Sequence, residues 1–179
     1  NEWHHDKHYA GYVAKRNEIE EELAKVDLSE ANANYSLYGE LKRKETFNAS
    51  GQILHEIYWG MLGTDTDVDE NSELAKKLVE SFGSLENAHN DFIASAKTAF
   101  GWAIMAFDPS SGLIKNFTTD AHNGGAVWGA IPLMAIDVYE HAYFIDFGSD
   151  RKAYIKAYWD NFNWVAAEEL YLKAREFKL

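Results

Sequence analysis

The chain has 179 residues, 46% hydrophobic and 15% aromatic, enough apolar material for one compact domain or two small ones sharing a core. Its 17 Lys+Arg against 29 Asp+Glu leave a formal charge of −12, which disfavours DNA or RNA as a partner, and no basic stripe offsets it. The absence of cysteine excludes a disulfide framework, thiolate zinc and iron–sulfur sites and a cysteine nucleophile, so any metal must be held by nitrogen and oxygen.

The first stretch, "NEWHHDKHYAGYV", lacks the charged and apolar regions of a secretion signal, and no apolar run is long enough to span a membrane. Both point to a cytoplasmic chain with no membrane partner. From Asn1 to about Lys25, Tyr9, Tyr12, Val13, Ile19 and Leu23 recur at helical spacing and predict a first helix. A second is expected from about Ser29 to Leu62, with a break near "FNASG", where Asn48, Ser50 and Gly51 are poor helix formers. The two form an antiparallel hairpin, a domain over 1–63. The polar stretch around 64–70 is a linker to a second domain over 71–179.

In that domain, helices start at Ser72 and Ser84 and end at Gly83 and Gly101. The segments "WAIMAFD", "LIKNFTT" and "IPLMAID" read as three short strands, with a hairpin turn at "PSSG" and a glycine loop, "HNGGAVWGA", before the third. Two more helices, "RKAYIKAYWDNF" and "WVAAEELYLKAREF", follow. The fold class is α+β, an N-terminal antiparallel helical hairpin followed by a mixed domain with a three-stranded antiparallel sheet and flanking helices.

Three places carry candidate chemistry. "HHDKHYAGY" sets His4, His8 and Tyr12 at i, i+4 and i+8 on one helix face, a good spacing for metal ligands but equally a polar face with one ligand or none. His5 points roughly 100° away on an ideal helix and reads as a bystander. His55, among Ile53, Leu54, Ile57, Tyr58 and Trp59, reads alone as a hydrogen-bonded core residue. In "AIDVYEHAYFIDF", Asp137 and His141 lie in an apolar run where an ionised carboxylate needs a compensating cation. If the third strand ends at Asp137 and a helical turn follows, the two side chains converge. A buried Asp–His hydrogen bond is the competing reading, made less comfortable by a second acid, Glu140.

His122, in the glycine loop, is a ligand, a hydrogen-bond donor near one, or a surface residue, whereas His89 is expected in solvent. Glu86 and His89 form one ExxH pair, but di-iron carboxylate bundles need two. "HEIYW" lacks the second histidine of a zincin HExxH.

Taken together, these motifs resemble the iron/manganese superoxide dismutases. "HHDKHYAGYV" is similar to the family's HHxKHHxxYV, "DVYEHAYFIDF" to DxWEHAYYLxY and "YWDNFNW" to WNVVNW, with "FGS", "GWA" and "HEIYWGMLG" in the expected order. The resemblance implies that His4, His55, Asp137 and His141 are metal ligands and that the reaction converts two superoxide anions and two protons to O2 and H2O2 by M(III)/M(II) cycling. One iron per subunit is implied, with manganese the close alternative, and three imidazoles with one carboxylate suit either ion.

By the same resemblance Tyr12 and His8 are gate residues for substrate and protons, and Trp59 and Trp102 wall the site. Glu140 reaches across a dimer interface to the partner's ligand histidine, and Arg151 is a basic residue near the entrance. A homodimer is implied, with a homotetramer as a further possibility.

The chain departs from the family pattern at several points. His122 stands where manganese-type members carry a glutamine, Gly51 where iron-type members project theirs, and Leu54 before His55 resembles archaeal-type members. Tyr139 replaces a tryptophan, and Phe144 replaces a tyrosine that bonds the neighbouring subunit's gate histidine. An LPYxYxALEP-like lead-in is missing before Asn1, as in a trimmed chain or a short form. The alternative from another class is a structural or binding member of the fold without dismutase activity. A metallohydrolase built on His4 and His8 lacks a general base.

Overall fold

The computed structural model describes residues 2–125 and 127–177; Ala126, inside the predicted glycine loop, lies outside the described residues, as do Asn1 and the last two positions of the expected second domain. The chain divides into two compact units, residues 1–55 and 56–179.

In the first unit a π-helical segment, His4–Tyr9, runs straight into α1, Ala10–Leu23. Helix α1 pairs Arg16 with Glu20 and Lys15 with Glu18 along its surface and, of its 14 residues, buries Ile19. Helix α2, Leu37–Gly60, returns antiparallel to it. Tyr12 packs edge-on against Phe47, with ring centroids 6.0 Å apart, and Arg16 Nη1 donates to Gln52 Oε1 at 3.4 Å.

Two expectations need correction here. The second helix does not start near Ser29, because local side-chain bonds divert the backbone. Asn32 Oδ1 accepts from the Asn34 and Tyr35 N–H groups while its amide donates to the Glu30 and Tyr35 carbonyls. Only a 3-10 turn, Leu28–Glu30, forms there, and Ser36 Oγ, accepting from Gly39 N–H, opens α2. Nor does α2 break at "FNASG". Asn48 folds its amide back onto the Lys44 carbonyl at 2.7 Å, so its polar group is satisfied within the helix.

The second unit takes in the end of α2 and continues with α3, Glu73–Phe82, and α4, Leu85–Thr98. Ser72 and Ser84 cap them as expected, and Gly83 ends α3 in the left-handed region at φ 87°. The α4 terminus is three residues earlier than predicted. Gly101 belongs to the sheet, where its N–H donates to Thr119 O and its carbonyl accepts from Val138 N–H.

The antiparallel sheet has the order β2-β1-β3, with β1 at Trp102–Asp108, β2 at Leu113–Thr119 and β3 at Ile131–Asp137. Every residue of the central strand β1 is buried. Asp108 organises the hairpin turn, its carboxylate accepting from Ser110, Ser111 and Lys115. Pro132 is tolerated because β3 is an edge strand. Three further helices, α5 (Glu140–Phe147), α6 (Arg151–Asp160) and α7 (Trp164–Ala174), complete the unit. Its core is centred on Phe92, Leu78, Met134, Ile136, Ile155 and Phe162.

Candidate metal centre

Within the first unit the structure brings His4 and His55 together, their Nε2 atoms 3.0 Å apart and both residues buried. His55 Nδ1 lies 2.6 Å from the Gly51 carbonyl one turn back. A carbonyl can only accept, so Nδ1 carries a proton, and it is the neutral tautomer with its lone pair on Nε2 that could bind a cation beside His4. Two imidazoles facing each other in this way have the chemistry to share a cation. The His8 ring lies 6.2 Å from His4, and the Tyr12 and Tyr9 rings lie 5.3 and 6.3 Å from His55. His5 is exposed, its Nδ1 lying 2.8 Å from Asp6 Oδ1.

Within the second unit, β3 ends at Asp137 and α5 begins at Glu140, the arrangement that allows Asp137 and His141 to converge. The turn is written into Asp137 itself. Its Oδ1 accepts from the Tyr139 N–H, two residues on, at 2.9 Å, and this Asx turn stops the strand and aims the chain into the helix. Oδ2 lies 3.3 Å from His141 Nε2. Asp137 is 0% exposed, so this carboxylate is held where ionisation requires positive charge beside it.

Around Asp137 the strand register sets Trp102 of β1 opposite it. The Trp102 indole N–H donates to His122 Nδ1 at 2.9 Å. Because an indole nitrogen can only donate, Nδ1 accepts and the His122 proton sits on Nε2. Burial pushes the His122 pKa down to about 4, against a smaller upward pull from Asp137, so the ring is neutral near pH 7. Tyr139 packs between two histidines, edge-on to His122 at 5.7 Å and stacked on His141 at 5.5 Å, while its hydroxyl donates to the Asp120 carbonyl.

Three tyrosines of this unit were not singled out by sequence reasoning. Tyr154 Oη donates to the Asp137 backbone carbonyl at 2.7 Å, Tyr58 Oη lies 3.3 Å from Tyr154 Oη, and Tyr158 Oη donates to the Ala135 carbonyl at 2.9 Å. Burial pushes Tyr58 up to about 12 and the other two well above 10, so all three are neutral. The signal for Tyr154 and Tyr158 was a tyrosine spacing of four in α6, and for Tyr58 its place in an apolar run of α2, both indistinguishable from ordinary core packing.

Glu140 is exposed on the first turn of α5. Arg151 donates to the Ala96 and Ala99 carbonyls at the end of α4, a helix-capping contact. His89 departs from expectation. It is half-buried, its ring 4.5 Å from Trp159, and burial lowers its pKa.

Comparison with known proteins bears on this arrangement. Residues 1–63 match the model of the iron/manganese superoxide dismutase alpha-hairpin domain, and residues 70–170 that of the C-terminal domain of the same family. A superoxide dismutase [Fe] of Aquifex aeolicus is 46% identical over 174 residues, covering 96% of this chain and 82% of the relative. A superoxide dismutase [Mn] 1 of Halobacterium salinarum is 37% identical over 174 residues, covering 97% and 86%.

Proposed function

Since the chain belongs to the iron/manganese superoxide dismutases, we propose that His4, His55, Asp137 and His141 hold the one redox ion of each subunit. Its activity is the dismutation of superoxide, and the alternative of a purely structural member is not favoured. The bound ion supplies the electron exchange, with one superoxide oxidised to O2 and a second reduced, with two protons, to H2O2. These four residues are a group of ligating type among the described residues.

The observation that carries the assignment is the His4–His55 pair, whose lone pair on His55 Nε2 is fixed by the proton committed to Gly51. Three neutral imidazoles and one carboxylate suit iron or manganese. We assign iron, in keeping with the iron-type relative at 46% identity, with manganese as the alternative.

The remaining residues have complementary tasks. Asp137 brings the single negative charge and leaves the centre cationic enough to draw in an anion despite the −12 charge of the chain. Its backbone bonds keep that carboxylate at one angle. His122 offers Nε2–H as a donor to solvent or substrate, with Trp102 holding the ring from the other side. Tyr12 and His8 pass protons and substrate, Trp59 and Trp102 exclude bulk water, and Arg151 adds positive charge near the entrance.

The working form is a cytoplasmic homodimer in which the exposed Glu140 reaches the partner subunit. The exposed Phe144 and Ile145, 56% and 73% accessible beside it on α5, support an interface there. The hairpin segment 1–63 and the segment 71–179, joined by 64–70, each contribute two ligands. Metal analysis of the purified protein with a superoxide-consumption assay tests the proposal. His141→Ala is expected to lose the ion, and His89→Ala to keep both metal and rate. A metal-retaining His141→Ala would show that the ligand set is wrong.

A further inference from the structure

The Tyr154 hydroxyl has one proton, and the Asp137 carbonyl takes it at 2.7 Å. A hydroxyl committed in this way can only accept from another hydroxyl, so the proton in the 3.3 Å Tyr58–Tyr154 contact comes from Tyr58. The result is a directed chain, Tyr58 to Tyr154 to the backbone of Asp137, buried along its whole length. Asp137 is the last residue of β3, where the strand gives way to the turn into α5. Helix α6 supplies a donor to the Asp137 carbonyl through Tyr154, and α2 supports it through Tyr58, three residues after His55 on the same helix.

We propose that Tyr154, backed by Tyr58, is a positioning residue that sets the orientation of the Asp137 carboxylate through its backbone. The inference rests on Asp137 being a metal ligand. The peptide that Tyr154 holds belongs to the residue whose side chain binds the ion, so a rotation of that peptide swings the carboxylate as well. Outer hydrogen bonds of this kind commonly govern metal retention by about 10–100-fold.

The fold contains its own control. Tyr158, one turn further along α6, makes the same type of bond to Ala135, two residues earlier on β3, where no ligand sits. Tyr154→Phe and Tyr158→Phe each delete one buried hydroxyl that bonds a β3 carbonyl, so a purely structural role lowers the melting temperature in both and separates them in nothing else.

The experiment uses iron-loaded full-length protein and follows release of the ion to a chelator together with the ferric absorption spectrum. Tyr154→Phe is expected to release iron at least about ten-fold faster and to shift the spectrum, while Tyr158→Phe releases at the parent rate with the parent spectrum. Equal release rates and identical spectra in the two variants would overturn the proposal while leaving the ligand assignment intact. A parent protein that binds neither iron nor manganese overturns both. If Tyr154→Phe does not accumulate folded, Tyr58→Phe, which leaves the Tyr154–Asp137 bond unsupported, is expected to change release in the same direction by a smaller factor. No change there overturns the proposal.

Discussion

Replacing Trp102 with phenylalanine separates two jobs that the indole performs at once, filling the core and pinning His122. Both partners of the 2.9 Å bond are buried, Trp102 at 0% and His122 at 3% exposure. Losing the N–H therefore leaves a buried acceptor unsatisfied, at about 1–3 kcal/mol. The smaller ring forfeits part of the ~3–5 kcal/mol that truncating a core tryptophan to alanine costs. Together they amount to about 2–4 kcal/mol, or a fall in Tm of roughly 5–15 °C for a chain of this size.

The substitution has a chemical effect as well. The indole donates to the His122 lone pair and so favours the neutral ring; without it the His122 pKa rises from about 4. Thermal denaturation of the metal-free protein measures the first effect, and ring 15N shifts followed against pH measure the second. A variant that melts within about 1 °C of its parent, with unchanged His122 shifts, refutes the claim that Trp102 fixes this ring.

The depressed His122 pKa also predicts the acid behaviour of the metal-free protein. Between the ordinary histidine value near ~6.5 and the folded value of about 4, the unfolded chain binds more protons, so stability is complete above that window and declines as pH falls through it. His122→Gln is expected to flatten the urea midpoint over that range, and a slope identical to the parent's would assign the titration elsewhere. At the start of α3, the Glu168 carboxylate accepts from the Glu73 and Leu74 N–H groups at 3.1 and 2.7 Å. Glu168→Gln removes the charge that favours a helix N-terminus and is expected to cost about 0.3–1 kcal/mol in urea denaturation.

The three strands were legible to the residue because each is a short run bounded by turn chemistry, and in the first hairpin the turn is built from the same Asp108, Ser110 and Ser111 that mark it in the sequence. The capping serines of α3 and α4 were equally readable, since a cap is a local bond between a side chain and a backbone N–H three residues on. The start of α2 was not. Asn32 works through four bonds to residues within three positions of itself, and propensity cannot say which of several polar residues will win such a competition. At the candidate centre, Asp137 and His141 stood out because a charge in an apolar run demands a partner. Tyr154 and Tyr58 did not, because a buried tyrosine satisfies packing whatever its hydroxyl does.

The π-helical segment at His4–Tyr9 makes chain length itself a constraint on this part of the molecule. A π turn accommodates one residue more than an α turn, and each residue of an α-helix advances the direction of a side chain by roughly 100°. Removing a single residue between His4 and α1 would let the segment relax into an uninterrupted α-helix and rotate everything before it, His4 included, away from His55. An indel there is thus as consequential as a substitution of the histidine, even though it deletes no functional group. Natural or engineered variants that alter the spacing between His4 and Tyr12 are the ones in which an intact motif would fail to mean an intact pair.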